Sequence, residues 1–169
     1  GAQISPGTTP ELAEASRRVL EQRGLVGNGW ASAWKAAAWA RLGNGDKALE
    51  NVTYAVRHYT TRSLLSICSK APQVDGTFGL TAALAEMLLQ SQDGTLTLLP
   101  ARPSGWASGE IHGLRARGGG EVGTRWKDGR IVEATVHSTL GGACRLRGAG
   151  DLRVTRDGRP VRVVRREPG

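Results

Sequence analysis

The sequence predicts an α+β fold, with helices over residues 1–100 and a small antiparallel β part over residues 101–169. Apolar residues recur at helical spacing in four segments of the first part, which is the pattern of amphipathic helices. Apolar and polar residues alternate in the second part, which is the pattern of half-buried strands. Two Asp-Gly pairs, at 128–129 and 157–158, each separate two alternating runs and predict hairpin turns.

Capping residues and glycines delimit the four predicted helices. Thr9 is a suitable N-cap ahead of Pro10, which favours the first helical position, and Gly24 ends this helix. Gly43 ends the second helix, and Asp46 is expected to cap the third. The predicted helices cover residues 10–23, about 31–42, a segment after residue 46, and about 77–90.

Residues 60–76 show no clear period and contain Pro72 and Gly76, so they are predicted to form a long loop. Loops of this length in compact domains often carry function. Asp75 would lie just ahead of the last helix, where it is either a helix cap or turn residue or a functional carboxylate. Gln73, two residues earlier, adds an amide that can hold a hydroxyl group.

Three tryptophans, Trp30, Trp34 and Trp39, occupy more than one face of the second predicted helix. This spread predicts either burial against partners on several sides or an aromatic platform for a sugar. Burial is the favoured interpretation for Trp34 and Trp39. For Trp30, at the helix entrance, neither interpretation is favoured.

The formal net charge of +8 is concentrated in the second part of the chain. Residues 1–100 hold 9 Lys/Arg against 8 Asp/Glu, whereas residues 101–169 hold 14 against 7. A basic half can mean a nucleic-acid surface. The arginines of segments 152–154 and 161–163 alternate with leucine or valine, however, and this pattern favours half-buried strands with a solvated face.

Several function classes lack their sequence signals. No run of about 18 apolar residues occurs, so no membrane span is predicted, and no signal peptide is visible. Cys68 and Cys144 cannot form a disulfide framework, and neither they nor the three histidines have metal-site spacing. The triple glycine at 118–120 precedes no helix, so it is not a phosphate loop. No metal or cofactor is therefore predicted, and the cellular compartment stays open.

Short motifs in collinear order resemble segments of glycoside hydrolase family 95, the family of inverting α-L-fucosidases and their relatives. The GWASAWK segment (29–35) resembles the family's Gly-Trp-Ser-x-Ala-Trp-Lys, and WARLG (39–43) resembles its Trp-Ala-Arg-Leu. The QVDGTFG segment (73–79) resembles Gln-Ile-Asp-Gly-Asn-Phe-Gly. Further segments match in the same order, at 86–91, 98–101 and 113–119. The resemblance spans most of residues 1–147.

The resemblance implies a fold made of an N-terminal β domain, an (α/α)6 catalytic barrel and a C-terminal β domain. Residues 1–100 would then supply the last helices of an incomplete barrel, and residues 101–169 the C-terminal antiparallel β domain. The chain would be a C-terminal fragment whose partner is the missing N-terminal part of the barrel. The isolated chain is accordingly expected to be inactive and to expose apolar surface around Trp34 and Trp39.

The resemblance also implies the chemistry, which is hydrolysis of terminal α-L-fucosyl or related L-galactosyl linkages of glycans with inversion. Inversion needs one group that protonates the leaving oxygen and one that activates water. Asp75 falls on the position of the water-activating aspartate, whereas the acid would belong to sequence before residue 1. Glu86 is interpreted as structural. The expected substrate-binding residues are Trp30, Ser69, Gln73, Thr77 and Phe78.

Two of these positions depart from the family pattern. Ser69 stands where the family has a histidine near the sugar, and Thr77 replaces the asparagine of the motif. Such changes suit either a preference for another L-sugar, such as L-galactose, or a decaying gene. The expected partner is a fucosylated or L-galactosylated glycan, with no specific nucleic acid and no membrane. Two alternatives stay open: a non-catalytic carbohydrate-binding accessory module, and a small basic nucleic-acid binder.

Overall fold

The computed structural model describes residues 3–148, 153–161 and 163–164, and its architecture is α+β, with helices first and strands after them. The helices are α1 (Pro10–Arg23), α2 (Gly29–Arg41), α3 (Gly45–His58) and α4 (Val74–Leu88). The strands are β1 (Ile67–Cys68), β2 (Ala71–Pro72), β3 (Leu89–Gln90), β4 (Leu96–Leu98), β5 (Gly109–Ala116), β6 (Gly120–Lys127), β7 (Arg130–Ser138), β8 (Leu146–Arg147), β9 (Thr155–Arg156) and β10 (Arg159–Pro160).

The helices α2 and α4 form a closely packed parallel pair. Gly29 and Gly76 meet at the N-terminal ends of the two helices. At the C-terminal ends, Arg41 Nε lies 2.7 Å from Glu86 Oε2. The pair is therefore joined at both ends, by a glycine contact at one and by an ion pair at the other.

The helices α1 and α3 run antiparallel to this pair. Lys35 Nζ of α2 donates a hydrogen bond of 2.6 Å to the Gly24 carbonyl at the end of α1. The Gly27 N–H, just before α2, donates to the Tyr59 hydroxyl, just after α3 (3.1 Å). The start of α2 thus lies beside the ends of both neighbours, and short connections, residues 24–28 and 42–44, join α2 to α1 and to α3.

Asparagine caps set the starts of α2 and α3. Asn28 Oδ1 accepts the backbone N–H three residues later (2.8 Å), so α2 begins at Gly29, two residues before the predicted start. Asn44 Oδ1 does the same for α3 (3.0 Å), so the prediction that Asp46 caps this helix is wrong. Asp46 lies in the first turn instead. The predicted bounds of α1 are confirmed.

The segment predicted as a long loop, 60–76, is partly ordered. The strands β1 and β2 form a small hairpin inside it, and α4 begins at Val74 rather than at Thr77. The earlier start arises because Gln73 has an extended backbone and its carbonyl accepts the Thr77 N–H (3.4 Å). Asp75 therefore lies inside the first turn of α4, not ahead of the helix as predicted.

One apolar cluster holds α1, α2, α3 and α4 together. Trp39, only 3% exposed, lies within it, so its predicted burial is confirmed. Trp34 is 46% exposed, with the Arg23 guanidinium 5.7 Å from its ring centroid, so its predicted burial is wrong in this chain. The apolar surface expected in the isolated chain is therefore exposed at Trp34 but not at Trp39. The buried members of the cluster are Ala13, Leu20, Trp39, Ala40, Leu42, Ala48, Met87 and Ala101.

The β part contains two three-stranded sheets in the described residues. The strands β5, β6 and β7 form an antiparallel meander, and β4 pairs with β3 and, in parallel, with β8. The hairpin predicted at Asp128 and Gly129 is confirmed, with φ values of 51° and 74° that match a type I′ turn. The two sheets share an apolar cluster of Leu89, Leu96, Leu98, Ala116 and Val122.

The second predicted hairpin also forms, but its strands are short and exposed. β9 and β10 flank the turn at 157–158, and the Val161 N–H donates to the Val154 carbonyl (3.1 Å). The prediction of half-buried strands is wrong for the described residues here, all of which are exposed. Residues 152 and 162 of the predicted strands lie outside the described residues. None of the helices described is both long and apolar enough to cross a membrane.

Candidate active site

The N-terminal ends of α2 and α4 touch through two glycines. Gly29 and Gly76 are buried, and a Cβ atom on either would overlap the side-chain oxygen of Ser66. Glycine alone lets the two backbones and Ser66 approach this closely. The contact brings motif segments 29–35 and 73–79 together at one end of the helix pair.

Three hydrogen bonds connect this end of the pair. The Gln73 N–H donates to the Ser66 carbonyl (2.7 Å), and the Ser66 N–H donates to Thr77 Oγ1 (2.9 Å). The Gln73 side-chain oxygen accepts from the Trp30 N–H (3.3 Å), in the first turn of α2. Three of the predicted substrate-binding residues, Trp30, Gln73 and Thr77, are therefore brought into one network around Ser66.

Asp75 lies between the bonded residues of this network, as the second residue of α4. Its side chain is exposed and makes no hydrogen bond or ion pair with any residue that the structure describes. The N-cap position belongs to Gln73, so the prediction of Asp75 as a helix cap is wrong. A carboxylate in the first turn still interacts favourably with the helix dipole. Its oxygens remain available to water or to a ligand.

Two exposed aromatic side chains lie near the starts of the same helices. Trp30 on α2 is 49% exposed, and Phe78 on α4 is 71% exposed. Ligand sites are commonly lined by aromatic side chains with a few placed polar groups. This end of the helix pair has both components, because Asp75 and the Gln73 amide belong to the same turns.

Ser69 is the predicted site residue that the structure does not join to the others. It lies at the tip of the β1–β2 hairpin, is exposed, and has a φ of 56° in the left-handed region. Its side chain makes no hydrogen bond to the other candidates within the described part of the chain.

Glu86, the other carboxylate of α4, is fully engaged at the opposite end of the helix. Its two oxygens accept from Arg41 (2.7 and 2.8 Å) and from Gln92 Nε2 (2.9 and 2.7 Å). It follows Asp75 by eleven residues, which is about 16 Å along a helix axis. Inverting hydrolases hold their two carboxyl groups about 6.5–9.5 Å apart. These facts support the interpretation of Glu86 as structural.

Two buried polar residues escaped the sequence analysis. Ser66 belongs to no sequence motif, and the signal that could have found it is the pair of glycines in the two motif segments, which permit a close approach of backbones. Lys35 belongs to the first motif, and its Nζ donates to the Gly24 and Val26 carbonyls (2.6 and 3.1 Å). Burial, with a smaller contribution from Arg23, lowers the pKa of Lys35 below its usual value. Lys35 fastens the connection between α1 and α2.

Comparison with known proteins matches both parts of the chain to family models. Residues 1–88 match the glycosyl hydrolase family 95 catalytic domain, and residues 90–169 match the glycoside hydrolase family 95 C-terminal domain. The "Alpha-L-fucosidase 2" of Arabidopsis thaliana is 42% identical over 144 residues, which is 79% of this chain and 17% of that protein. The "Probable alpha-fucosidase A" of Aspergillus niger is 30% identical over 145 residues, or 76% of this chain and 18% of that protein.

A second fungal relative has a similar identity and coverage. The "Probable alpha-fucosidase A" of Aspergillus oryzae is 36% identical over 127 residues, which is 65% of this chain and 18% of that protein. The chain thus spans less than a fifth of the length of these relatives.

Proposed function

The chain belongs to glycosyl hydrolase family 95, and on that premise we propose that it forms part of an inverting exo-glycosidase. The proposed substrates are glycans with terminal α-L-fucosyl or related L-galactosyl residues. The observation that carries the proposal is the exposed carboxylate of Asp75, which has no partner among the described residues and lies at the end of the helix pair that also carries the exposed rings of Trp30 and Phe78. The names of the relatives, all α-fucosidases, support the sugar class.

In the proposed mechanism, Asp75 is the general base. Its carboxylate takes a proton from a water molecule as that water attacks the anomeric carbon, and an acid on the opposite face of the sugar protonates the leaving oxygen. A carboxylate without a partner in the described residues suits the base role, because no hydrogen bond has to break before it accepts a proton. Glu86 is too far along α4 to be the acid.

The sugar is proposed to lie against the exposed aromatic residues. Trp30 and Phe78 offer apolar faces to the C–H groups of the ring, as in other largely apolar ligand sites. The Gln73 oxygen is occupied by the Trp30 N–H, which leaves the amide N–H groups to donate to a sugar hydroxyl. Thr77 and Ser69, which depart from the family pattern, are proposed to set the preference among L-sugars.

The acid is proposed to come from a further part of the catalytic barrel, packed against this chain. The exposed ring of Trp34 on α2 marks one place where such a part would pack. The isolated chain is therefore expected to hydrolyse nothing, because general acid assistance contributes about 10²–10⁴-fold and the acid is proposed to lie on that further part.

The configuration of the first product tests the proposal directly. We would incubate the complete protein with an aryl α-L-fucoside and an aryl α-L-galactoside and follow the released sugar by proton NMR. Inversion requires the β-anomer to appear first, with the α-anomer arising later by mutarotation. Initial release of the α-anomer, or no cleavage of either glycoside, would overturn the proposal. Glycan binding without cleavage by the complete protein would instead support the accessory module.

A further inference from the structure

Beyond the residues that would touch the sugar, we propose that Ser66 is a positioning residue for Asp75. Ser66 holds the first turn of α4 against the first turn of α2, and so sets where the Asp75 carboxylate lies relative to Trp30. This inference rests on the proposed role of Asp75 as the general base. Ser66 itself is 0% exposed and would touch neither the sugar nor the attacking water.

The backbone of Ser66 fastens the α4 turn on both sides of Asp75. Its carbonyl accepts from Gln73, two residues before Asp75, and its N–H donates to Thr77 Oγ1, two residues after Asp75 (2.7 and 2.9 Å). Gln73 in turn accepts from the Trp30 N–H on α2. A shift of residue 66 would therefore move both flanks of the aspartate together.

The side chain of Ser66 sets the distance between the two helices. A Cβ on Gly29 or on Gly76 would overlap Ser66 Oγ, so this oxygen lies close to the direction of a Cα–H bond of each glycine. Cα–H groups of closely packed helices make weak contacts of this kind with oxygen atoms. One oxygen thus bridges both helices at the turn that carries Asp75.

The hydroxyl makes no conventional hydrogen bond, which is unusual for a buried group. Ser66 Oγ lacks a hydrogen-bond partner in the described part of the chain, and burying such a group costs free energy. Such buried orphan groups call for an explanation other than stability. Its place between Gly29 and Gly76 offers one, because a larger side chain would force the helices apart and a smaller one would leave a gap.

The same helix pair provides a matched control. Ser32 on α2 is also 0% exposed, and its Oγ also lacks a hydrogen-bond partner among the described residues. Ser32 makes no hydrogen bond to segment 73–77. A Ser→Thr change at either position adds one methyl group at a buried hydroxyl, but of the two residues only Ser66 is hydrogen-bonded to the Asp75 turn.

The test compares S66T, S66A and S32T in the complete protein, on an aryl α-L-fucoside. Misplacing a catalytic group by about 1 Å can cost 100-fold, so we expect kcat of S66T to fall by about 10–100-fold with KM within about twofold. S66A, which keeps the backbone bonds, should fold even if S66T does not, and its kcat should fall by a smaller factor. S32T should keep its kcat.

Azide separates misplacement of the base from general damage. Azide attacks the anomeric carbon without giving up a proton: a C–N bond forms, the C–O bond to the aglycone breaks, and the leaving oxygen takes its proton from the acid. Azide should therefore restore turnover of S66T and S66A, with a β-L-fucosyl azide as product. The proposal is overturned if folded S66T and S66A keep the kcat of the unaltered protein, if azide restores neither, or if S32T loses as much.

D75N in the same series keeps the two hypotheses apart. If D75N retains full turnover, Asp75 is not the base and the proposed function fails at this residue. If D75N loses turnover while folded S66T and S66A keep theirs, the base assignment stands and the positioning role of Ser66 is wrong.

Discussion

The two ends of the α2–α4 pair are held together by different kinds of interaction. At the C-terminal end, the helices are joined by a bidentate ion pair of Arg41 and Glu86, and Gln92 donates two further hydrogen bonds to Glu86. At the N-terminal end, they are joined by the contact of Gly29 and Gly76 around a single hydroxyl. One end is held by an ion pair, and the other by close packing of glycines together with the hydrogen bonds around Ser66.

This difference assigns different roles to the two carboxylates of one helix. Glu86 accepts four hydrogen bonds, and a proton or a substrate would have to displace them. Asp75 accepts none from the described residues, and the exposed rings of Trp30 and Phe78 lie near the starts of the same two helices. Because close packing of Gly29 and Gly76 joins the N-terminal ends, this contact needs no charged residue beside Asp75. The Asp75 carboxylate is therefore accessible to water or to a substrate.

The largest expected effect comes from removing the negative charge of Asp75. D75N keeps the size of the side chain but cannot take a proton from water at neutral pH. Turnover of the complete protein should fall by about 10²–10⁴-fold, with much less change in KM. The melting temperature should hardly change, because Asp75 makes no capping bond. Steady-state kinetics and thermal unfolding measure the two quantities.

The matching change at the other end is E86Q, which should keep turnover within a few-fold of the unaltered protein. Near-native turnover of D75N would contradict the contrast between the two ends, as would an equal loss of turnover in E86Q.

The second effect concerns the N-terminal end of the α2–α4 pair, where Gly29 and Gly76 meet. A methyl group in G76A would lie 2.7 Å from Ser66 Cβ and 3.0 Å from the Gly29 carbonyl carbon, and it would overlap Ser66 Oγ. Overpacking of this kind costs typically 1–3 kcal/mol, and we expect the upper part of that range because backbone atoms are involved. Chemical denaturation of the protein measures the loss.

G105A is the control for this change, since no atom lies within 4 Å of a Cβ at that position. It should alter the free energy of unfolding by less than about 0.5 kcal/mol. A G76A protein as stable as G105A would show that the helices are free to separate at this end.

The third effect concerns the C-terminal end of the pair, where Arg41 and Glu86 form the ion pair. E86Q retains an oxygen for Arg41 but loses the charge, and its new NH2 group faces the Gln92 NH2 donor. Hydrogen bonds to charged groups contribute about 1.5–3 kcal/mol, so the loss of part of this set should cost about 1–2 kcal/mol. Denaturant titration of E86Q checks this value, and an unchanged midpoint would mean that the ion pair contributes nothing to the helix contact.

The contrast between the ends also explains which features the sequence could predict. Local signals suffice for α1, whose Thr9, Pro10 and Gly24 lie within the segment they delimit. The type I′ turn at 128–129 is equally local. The asparagine caps of α2 and α3 are local signals as well. The predicted starts nevertheless lie too late in the chain, because each helix begins with a glycine, a residue with low helix propensity.

The arrangement around Asp75 depends on contacts between distant residues. Ser66 meets Gly29 across 37 positions of the chain, and no pattern of spacing announces a buried serine. The burial of Trp39 and the exposure of Trp34 likewise follow from where α1 packs against α2. The family motif located Asp75, whereas only the structure showed that its carboxylate has no partner among the described residues.

The smallest expected effect is a pH dependence of stability that arises from Asp46. Asp46, in the first turn of α3, accepts from the Ser104 N–H and the Ser104 hydroxyl (2.7 and 2.9 Å) and so ties the helices to the β part. These two hydrogen bonds, with a smaller contribution from Arg102, lower the pKa of Asp46 below its usual value. The folded state therefore favours the ionised carboxylate more than the unfolded state does.

Because the folded pKa of Asp46 is depressed, its contribution to stability is present above the unfolded pKa of about 3.9 and is lost as the pH falls through the folded pKa. The melting temperature should drop between about pH 4 and pH 2, and D46N should drop less over that interval. S104A removes one of the two donors and keeps the backbone N–H, so its pH dependence should lie between the two. Superimposable melting curves of D46N and the unaltered protein at each pH would show that this contact does not respond to protonation.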